Sequence, residues 1–402
     1  MNGGGYHWAR AVIYGLLVVC CLAGPAVEAQ TADPAVIGAV ISLSGRDSAF
    51  GQACLSGLQV AIDEVNAEGG VKGQPVSLQV YDDRSDPVLA AEGVRVLVRD
   101  FRPLAIIGSN TSMVTSAAAV AAQSVGVPLV VPEATNPNIS AIGDWIFRVC
   151  FVDPDMANAL ASFAYGRLGL RRVAVLMEEN HDYTLSLARS FSRRFRELGG
   201  EVVLQMGYAP GETKFADPLR LIGEKQADAV LVSGFYPEAA AILSAARDKE
   251  MNVAFLGGDA WEDDAFFAIA GDAITDKSRI YVASHFSPDL QRIKVKGFVA
   301  AFQERFAHRP NTSAALGYDA CGVAVDAIRE AAELTPEAVK LGLSKVHHEG
   351  VTGQIDIDTT RSTVKRVIIM QATPDRRFTF LESVGGGEST PQSERAGDGA
   401  RP

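Results

Sequence analysis

Two short apolar runs, Leu104–Gly108 and Val127–Val131, flank an Ala-rich segment over residues 114–124. A strand apolar on both faces belongs inside a parallel sheet covered on both sides, and the segment between the two reads as the crossover helix. Each run then breaks into small polar residues, Gly108-Ser109-Asn110-Thr111-Ser112 and Pro132-Glu133-Ala134-Thr135-Asn136-Pro137. The result is a β-α-β unit with two polar tips beyond the carboxyl ends of its strands, where open α/β sheets place ligands. Free backbone amides and hydroxyls at such tips suit a carboxylate.

The same rhythm runs along the rest of the chain. A strand over Ala35–Ile41 ends in the loop Ser42–Gly51. Leu55, Leu58, Ala61, Ile62 and Val65 then recur at helical spacing until Gly69-Gly70 stops them. Val76–Tyr81 alternates as a strand, and Asp86 with Pro87 reads as the N-cap and first turn of the next helix. After the segment Phe147–Pro154 the pattern restarts. Strands are predicted over Arg172–Met177, Glu201–Met206, Ala229–Val232 and Ala254–Leu256, with helices over Tyr183–Leu198, Phe215–Gln226 and Pro237–Lys249. A third polar tip, Gly257-Gly258-Asp259-Ala260-Trp261, leads toward a helix over Trp261–Phe267. Helical spacing returns in Gln291–Phe306 and Ala314–Ala332, before strand-like stretches at Gly353–Ile357 and Val364–Gln371. His347-His348-Glu349 reads as a turn rather than a metal site. A chain of 402 residues, 48% hydrophobic and 21% charged, is long enough for two such cores.

Composition narrows the partners. A net charge of −11 argues against nucleic acid or an anionic membrane as the main partner. Arg10, the apolar run from Ala11 to Gly24 and the small residues of Val27-Glu28-Ala29 predict a signal peptide over residues 1–29, cut before Gln30. The run is short for a spanning helix, and Cys20 with Cys21 leaves a lipoprotein reading open, although Val19 is a poor residue before the lipidated position. Cys54, Cys150 and Cys321 then remain, either as one bridge and a free thiol or as three small buried residues. The Gly-, Ser- and charge-rich stretch over residues 385–402 reads as a disordered tail.

Catalytic signatures are absent: no phosphate loop, no dinucleotide fingerprint, no zinc-protease helix, no nucleophile elbow. Ser112 with His181 or His285 as base is the most that can be assembled toward covalent catalysis, and nothing in the sequence holds either imidazole near it. No cofactor, metal or catalytic residue is therefore expected.

Several motifs together carry a resemblance. They are Ile41-Ser42-Leu43-Ser44-Gly45 to Phe50-Gly51, Ala61–Gly73, Tyr81-Asp82-Asp83 to Asp86-Pro87, Val131–Pro137, Tyr208–Thr213, Leu256–Trp261 and Gly317-Tyr318-Asp319-Ala320. In these the chain resembles the type I periplasmic binding proteins of branched-chain amino-acid ABC transporters, the Leu/Ile/Val-binding family. The resemblance implies an α/β fold of two Rossmann-like lobes joined by a three-stranded hinge, with a ligand cleft between them. Lobe 1 would comprise residues 30–152 and 282–358, and lobe 2 residues 153–281 and 359–384. The crossings would lie at Phe147–Pro154, Val282–Pro288 and near Gly353–Thr360.

Carried onto this sequence, the resemblance implies that Ser112 and Thr135 hold an amino acid's carboxylate, flanking Ala134. It implies that the Glu133 carbonyl and Asp259 receive the ammonium, a charge-assisted contact. The alternative role for Asp259 is the N-cap of the helix that follows. Tyr183 and one of Phe235 and Tyr236 would close over the ligand, with Phe50 and Trp261 as candidates for the side-chain pocket. Where leucine-type binders often carry a cysteine pair near the first cleft loop, this chain has Asp86 and Thr111, which leaves Cys54 without a partner. The expected protein is a periplasmic monomer without catalytic activity, passing an amino acid to an ABC permease. A sensing receptor or regulator of the same fold, and a binder of an amide or small carboxylate, are the alternatives. A cytoplasmic regulator would lack the leader, and a receptor would carry a spanning helix.

Overall fold

The computed structural model describes residues 33–385. The leader read over residues 1–29 lies outside them, as does the tail read over 385–402 beyond its first residue. Lobe 1 begins with β1 (Ala35–Ile41), α1 (Ser48–Ala67), β2 (Val76–Asp82), α2 (Pro87–Phe101), β3 (Ala105–Gly108), α3 (Ser112–Val125), β4 (Leu129–Val131), a short α4 (Asn138–Ala141) and β5 (Ile146–Arg148). Its five strands are parallel in the order β2-β1-β3-β4-β5. All four residues of β3 are buried, as a central parallel strand requires. Asp86 caps α2 as its sequence position implies, accepting from the amides of Val88 and Leu89.

Lobe 2 contains α5 (Asp153–Ser162), β6 (Arg172–Glu178), α6 (Asp182–Glu197), β7 (Glu201–Tyr208), α7 (Ala216–Glu224), β8 (Ala229–Ser233), α8 (Tyr236–Asp248), β9 (Ala254–Gly257), α9 (Asp264–Ala270) and β10 (Ile280–Ser284). The chain then returns to lobe 1 for α10 (Ile293–Phe306), α11 (Thr312–Glu330), α12 (Pro336–Leu343) and the hairpin β11 (His347–Gly350) and β12 (Gly353–Asp356). It ends in lobe 2 with β13 (Val367–Thr373) and β14 (Arg377–Val384). The lobe 2 sheet runs β14-β13-β10-β9-β8-β6-β7, with β13 and β14 antiparallel to their neighbours. The chain therefore crosses between lobes after β5, after β10 and after β12. At the crossings the Phe151 ring stacks on His285 at 3.5 Å, and the Ser284 and Thr312 hydroxyls lie 2.9 Å apart.

Several local readings are corrected. His347-His348-Glu349 is not a turn but strand β11, paired with β12; His347 contacts Asp356 and His348 contacts Asp326 through Nδ1. Strand β14 and helix α12 add to the elements read from the sequence; α12 starts on local signals, Thr335 capping it through the Ala338 amide with Pro336 in its first turn. Asp259 does not cap α9. Asp263 does, accepting from the Ala265 amide, and Asp259 opens a short 3₁₀ turn. Cys54, Cys150 and Cys321 are buried free thiols, so no bridge joins them.

Lobe 1 is sandwiched by α1, α11 and α12 on one face of its sheet and by α2 and α3 on the other. Helices α1 and α11 approach so closely that a Cβ on Gly57 would lie 1.8 Å from the Ala314 carbonyl oxygen, and one on Gly317 would lie 2.3 Å from that of Cys54. Both obstacles are backbone, which cannot swing aside, so an added methyl must force the helices apart. Gly57→Ala is expected to destabilise the protein by about 1–3 kcal/mol in urea unfolding; an unchanged midpoint would show that the crossing tolerates separation.

Candidate functional site

Strand order reverses between β1 and β3 in lobe 1 and between β6 and β8 in lobe 2, and it is beyond such reversal points that open sheets leave a crevice. In this fold the two crevices face each other across a small cavity. From lobe 1 it is lined by Phe50 of α1, by Asn110, Thr111 and Ser112 beyond β3, and by Glu133, Ala134 and Thr135 beyond β4. From lobe 2 come Tyr183 of α6, Phe235 beyond β8, and Asp259 with Ala260 beyond β9.

Lobe 1 supplies hydroxyls and amides. Thr111 stands at the N-cap of α3 but its side chain does not cap the helix; its hydroxyl donates instead to Asp47 Oδ2 at 2.8 Å. The first-turn amides of α3, which have no intrahelical acceptor, are thus left without a side-chain cap beside Ser112, a favourable setting for an anion. Ser112 Oγ accepts from the Asn136 amide at 3.3 Å, which ties the two tips together. The tips are braced from below by Asp83, which accepts from the hydroxyls of Ser42 and Ser109, each at 2.6 Å.

Lobe 2 supplies a buried carboxylate. Asp259 Oδ1 accepts from the Tyr183 hydroxyl at 3.0 Å, and Oδ2 lies 3.1 Å from His285 Nε2. Because a carboxylate only accepts, the proton of His285 resides on Nε2. Burial drives the imidazole pKa down, against the raising effect of Asp259, so the ring is the neutral tautomer at neutral pH. Each Asp259 oxygen has one donor and retains capacity for another. Gly258 makes room for this arrangement, since a Cβ there would fall 2.3 Å from the Tyr183 hydroxyl.

The structure brings together Phe50, Ser112, Glu133, Ala134, Thr135, Tyr183, Phe235 and Asp259. It resolves the adjacent aromatic pair: Phe235 lines the cavity, while Tyr236, the first residue of α8, packs edge-on against Phe50 outside it. Trp261 is a correction. Its indole is fully buried in lobe 2, stacked on Phe266 with centroids 5.5 Å apart and pressed against Gly257, so it faces the core rather than the cavity. Glu133 contributes more than the carbonyl considered from sequence. Its side chain accepts from Ser313 at 2.5 Å and Asn110 at 3.0 Å, and burial pushes its pKa up to about 7.

Sequence reasoning missed Asn110, the Asp259–His285 contact and a clasp at the cavity mouth. In the clasp, Arg46 of the β1–α1 loop pairs with Glu178 at the end of β6, Nη1 to Oε1 at 2.7 Å, and reaches within 3.6 Å of Glu238 on α8. Its guanidinium lies 4.9 Å from the centre of the Phe235 ring. The Asn136 side-chain amide also crosses the cleft, donating to the Asp182 carbonyl at 3.2 Å. The only sequence signal for the clasp was a lone arginine in a cleft loop.

Such a site defines a two-lobed solute-capturing protein. The chain belongs to the periplasmic binding protein family, whose model matches residues 34–377. It is 25% identical over 334 residues to a Leu/Ile/Val-binding protein homologue of Brucella abortus, covering 80% of this chain and 86% of the relative. Among solved structures it is similar to a leucine-binding protein of Thermotoga maritima, with 30% identity, a TM-score of 0.81, and 87% of this chain and 98% of that one covered. It is equally similar to the branched-chain amino-acid substrate-binding protein of Streptococcus pneumoniae in complex with isoleucine, with 30% identity, a TM-score of 0.81, and 88% and 99% covered. No helix among the described residues is long and apolar enough to cross a membrane.

A buried acid just behind the cavity gives a test of this electrostatic picture. Asp153 opens α5 with both carboxylate oxygens lacking a hydrogen-bond partner, and burial pushes its pKa from an ordinary 3.8 up to about 7, only partly offset by the nearby Ser186 and Thr135 hydroxyls and by Arg148. The unfolded chain therefore releases this proton first, and stability falls as pH rises from about 4 through about 7. Asp153→Asn is expected to be more stable than the parent at pH 8 by about 1–3 kcal/mol and equal to it near pH 4, measured by urea unfolding. An equal effect at both pH values would contradict the assignment.

Proposed function

We propose that this protein captures an amino acid outside the cytoplasm by closure of its lobes and delivers it to an ABC permease, without catalysing a reaction. The observation that carries this reading is the division of the cavity: an uncapped helix N-terminus with hydroxyls on lobe 1, and a buried carboxylate on lobe 2. An amino acid's carboxylate matches the α3 amides with the Ser112 and Thr135 hydroxyls. Its ammonium matches the Glu133 carbonyl and the Asp259 carboxylate. A ligand so held touches both lobes and is bound best when they meet, so it shifts the population toward the closed form. Tyr183, Phe235 and Phe50 then shut out water, and the Arg46–Glu178 pair fastens the mouth. The family membership supports a periplasmic location and a permease that reads the closed form; the chain is proposed to act as a monomer.

A thermal-shift screen over amino acids and small carboxylates tests this directly, because a ligand bound only by the folded state raises its apparent stability. At least one α-amino acid is expected to stabilise the protein, and Asp259→Asn to weaken that ligand by roughly 30-fold or more, as loss of a buried charge partner does. Unchanged affinity in Asp259→Asn would remove the ammonium assignment, and stabilisation by amine-free carboxylates alone would replace the ligand class. In stopped-flow measurements Arg46→Ala is expected to speed ligand release by about tenfold while changing association less. An unaltered release rate would show that the clasp does not hold the closed form.

A further inference from the structure

With the carboxylate and ammonium positions assigned as proposed above, on which this inference rests, the rest of the cavity wall is formed by Phe50, Tyr183, Phe235, Ala134 and Ala260, with Thr111 and Asn110. Three of these are aromatic, two are alanines and two are polar, so the compartment left for the ligand's side chain is not uniformly apolar. Asn110 is 3% exposed. Its Nδ2 donates to Glu133 Oε2 at 3.0 Å, and the other Glu133 oxygen accepts from Ser313, so the carboxylate fixes which way the amide points. Asn110 Oδ1 is then left buried without a hydrogen-bond partner. The Cys54 thiol, a weak donor, lies beside the amide but does not satisfy Oδ1. Thr111 adds a second acceptor, because its hydroxyl hydrogen is committed to Asp47. No Lys, Arg or His lines the cavity to supply a donor from the protein side.

We infer that the ligand of this cavity is an amino acid whose side chain carries a hydrogen-bond donor, a hydroxyl or a carboxamide, received by Asn110 Oδ1 and backed by Thr111. A purely aliphatic side chain of the same shape would leave this acceptor unpaired, where a donor would satisfy it, a difference that corresponds to roughly tenfold to a hundredfold in affinity. Phe50 and Phe235 would hold the carbon skeleton of the side chain, and Asn110 would sort ligands of equal size by their polarity.

Isothermal titration with matched pairs, threonine against valine and asparagine against leucine, tests this at pH 8, where Glu133 is ionised and holds the amide orientation. The expected result is that at least one donor-bearing ligand binds tenfold or more tighter than its aliphatic partner. In Asn110→Leu, checked for folding by circular dichroism, that ratio should fall to about one or below. Valine and leucine binding as tightly as threonine and asparagine in the parent protein would overturn the inference, whatever the variant does. A preference that survives unchanged in a folded Asn110→Leu would overturn the assignment to Asn110. Absence of binding by all four and by every other amino acid would instead overturn the capture reading itself, and the inference with it.

Discussion

The arrangement turns on one buried carboxylate. Asp259 sits at the tip of β9, is 5% exposed, and is held by Tyr183 from α6 and by His285 from the crossing after β10. A charge so far from water is costly unless it is paired or well supplied with donors. Two neutral donors supply part of what water would give and leave the carboxylate short of a cation. In the proposed function that deficit is what the ligand's ammonium group would meet. Because His285 also stacks on Phe151 of the first crossing, the carboxylate that would recognise the ligand is bonded to the segment about which the lobes would move.

The rest of the fold serves to bring complementary halves to that point. Two sheets, one parallel and one mixed, each reversing its strand order once, leave loops rather than helices at their centres, and the crossings set those loops face to face. Lobe 1 offers partial positive charge, from helix amides and hydroxyls; lobe 2 offers negative charge and aromatic cover. Neither half alone is complementary to a zwitterion. In the proposed function closure and recognition are the same event, and the Arg46–Glu178 clasp, an exposed guanidinium on a buried carboxylate, would stabilise the state in which the two halves meet.

Much of this was legible in the chain before the structure. The apolar runs around residues 104–108 and 127–131 become β3 and β4, and their polar tips become the lobe 1 wall. Asp86 caps α2, and Asp259 lies in the cavity with Tyr183 and Phe235. These features are local, set by periodicity, caps and strand ends. What was not legible depends on direction and distance. A 3₁₀ turn decides that Asp259 faces the cavity while Trp261, two residues on, faces the core. The Arg46–Glu178 pair joins residues 132 positions apart, and the free oxygen of Asn110 exists only because Glu133 has claimed the other end of the amide. The hairpin at His347 forms because β12 is there to pair with it, not because its own residues favour a strand.

A crystal structure of the protein with its most stabilising amino acid tests the role of Asp259 most directly. Recognition of a zwitterion across the two lobes requires the ligand's ammonium nitrogen within about 3 Å of both an Asp259 oxygen and the Glu133 carbonyl, with its carboxylate on Ser112 and the first amides of α3. A ligand turned end for end, with its carboxylate toward lobe 2, or one seated without contact to Asp259, would contradict that role.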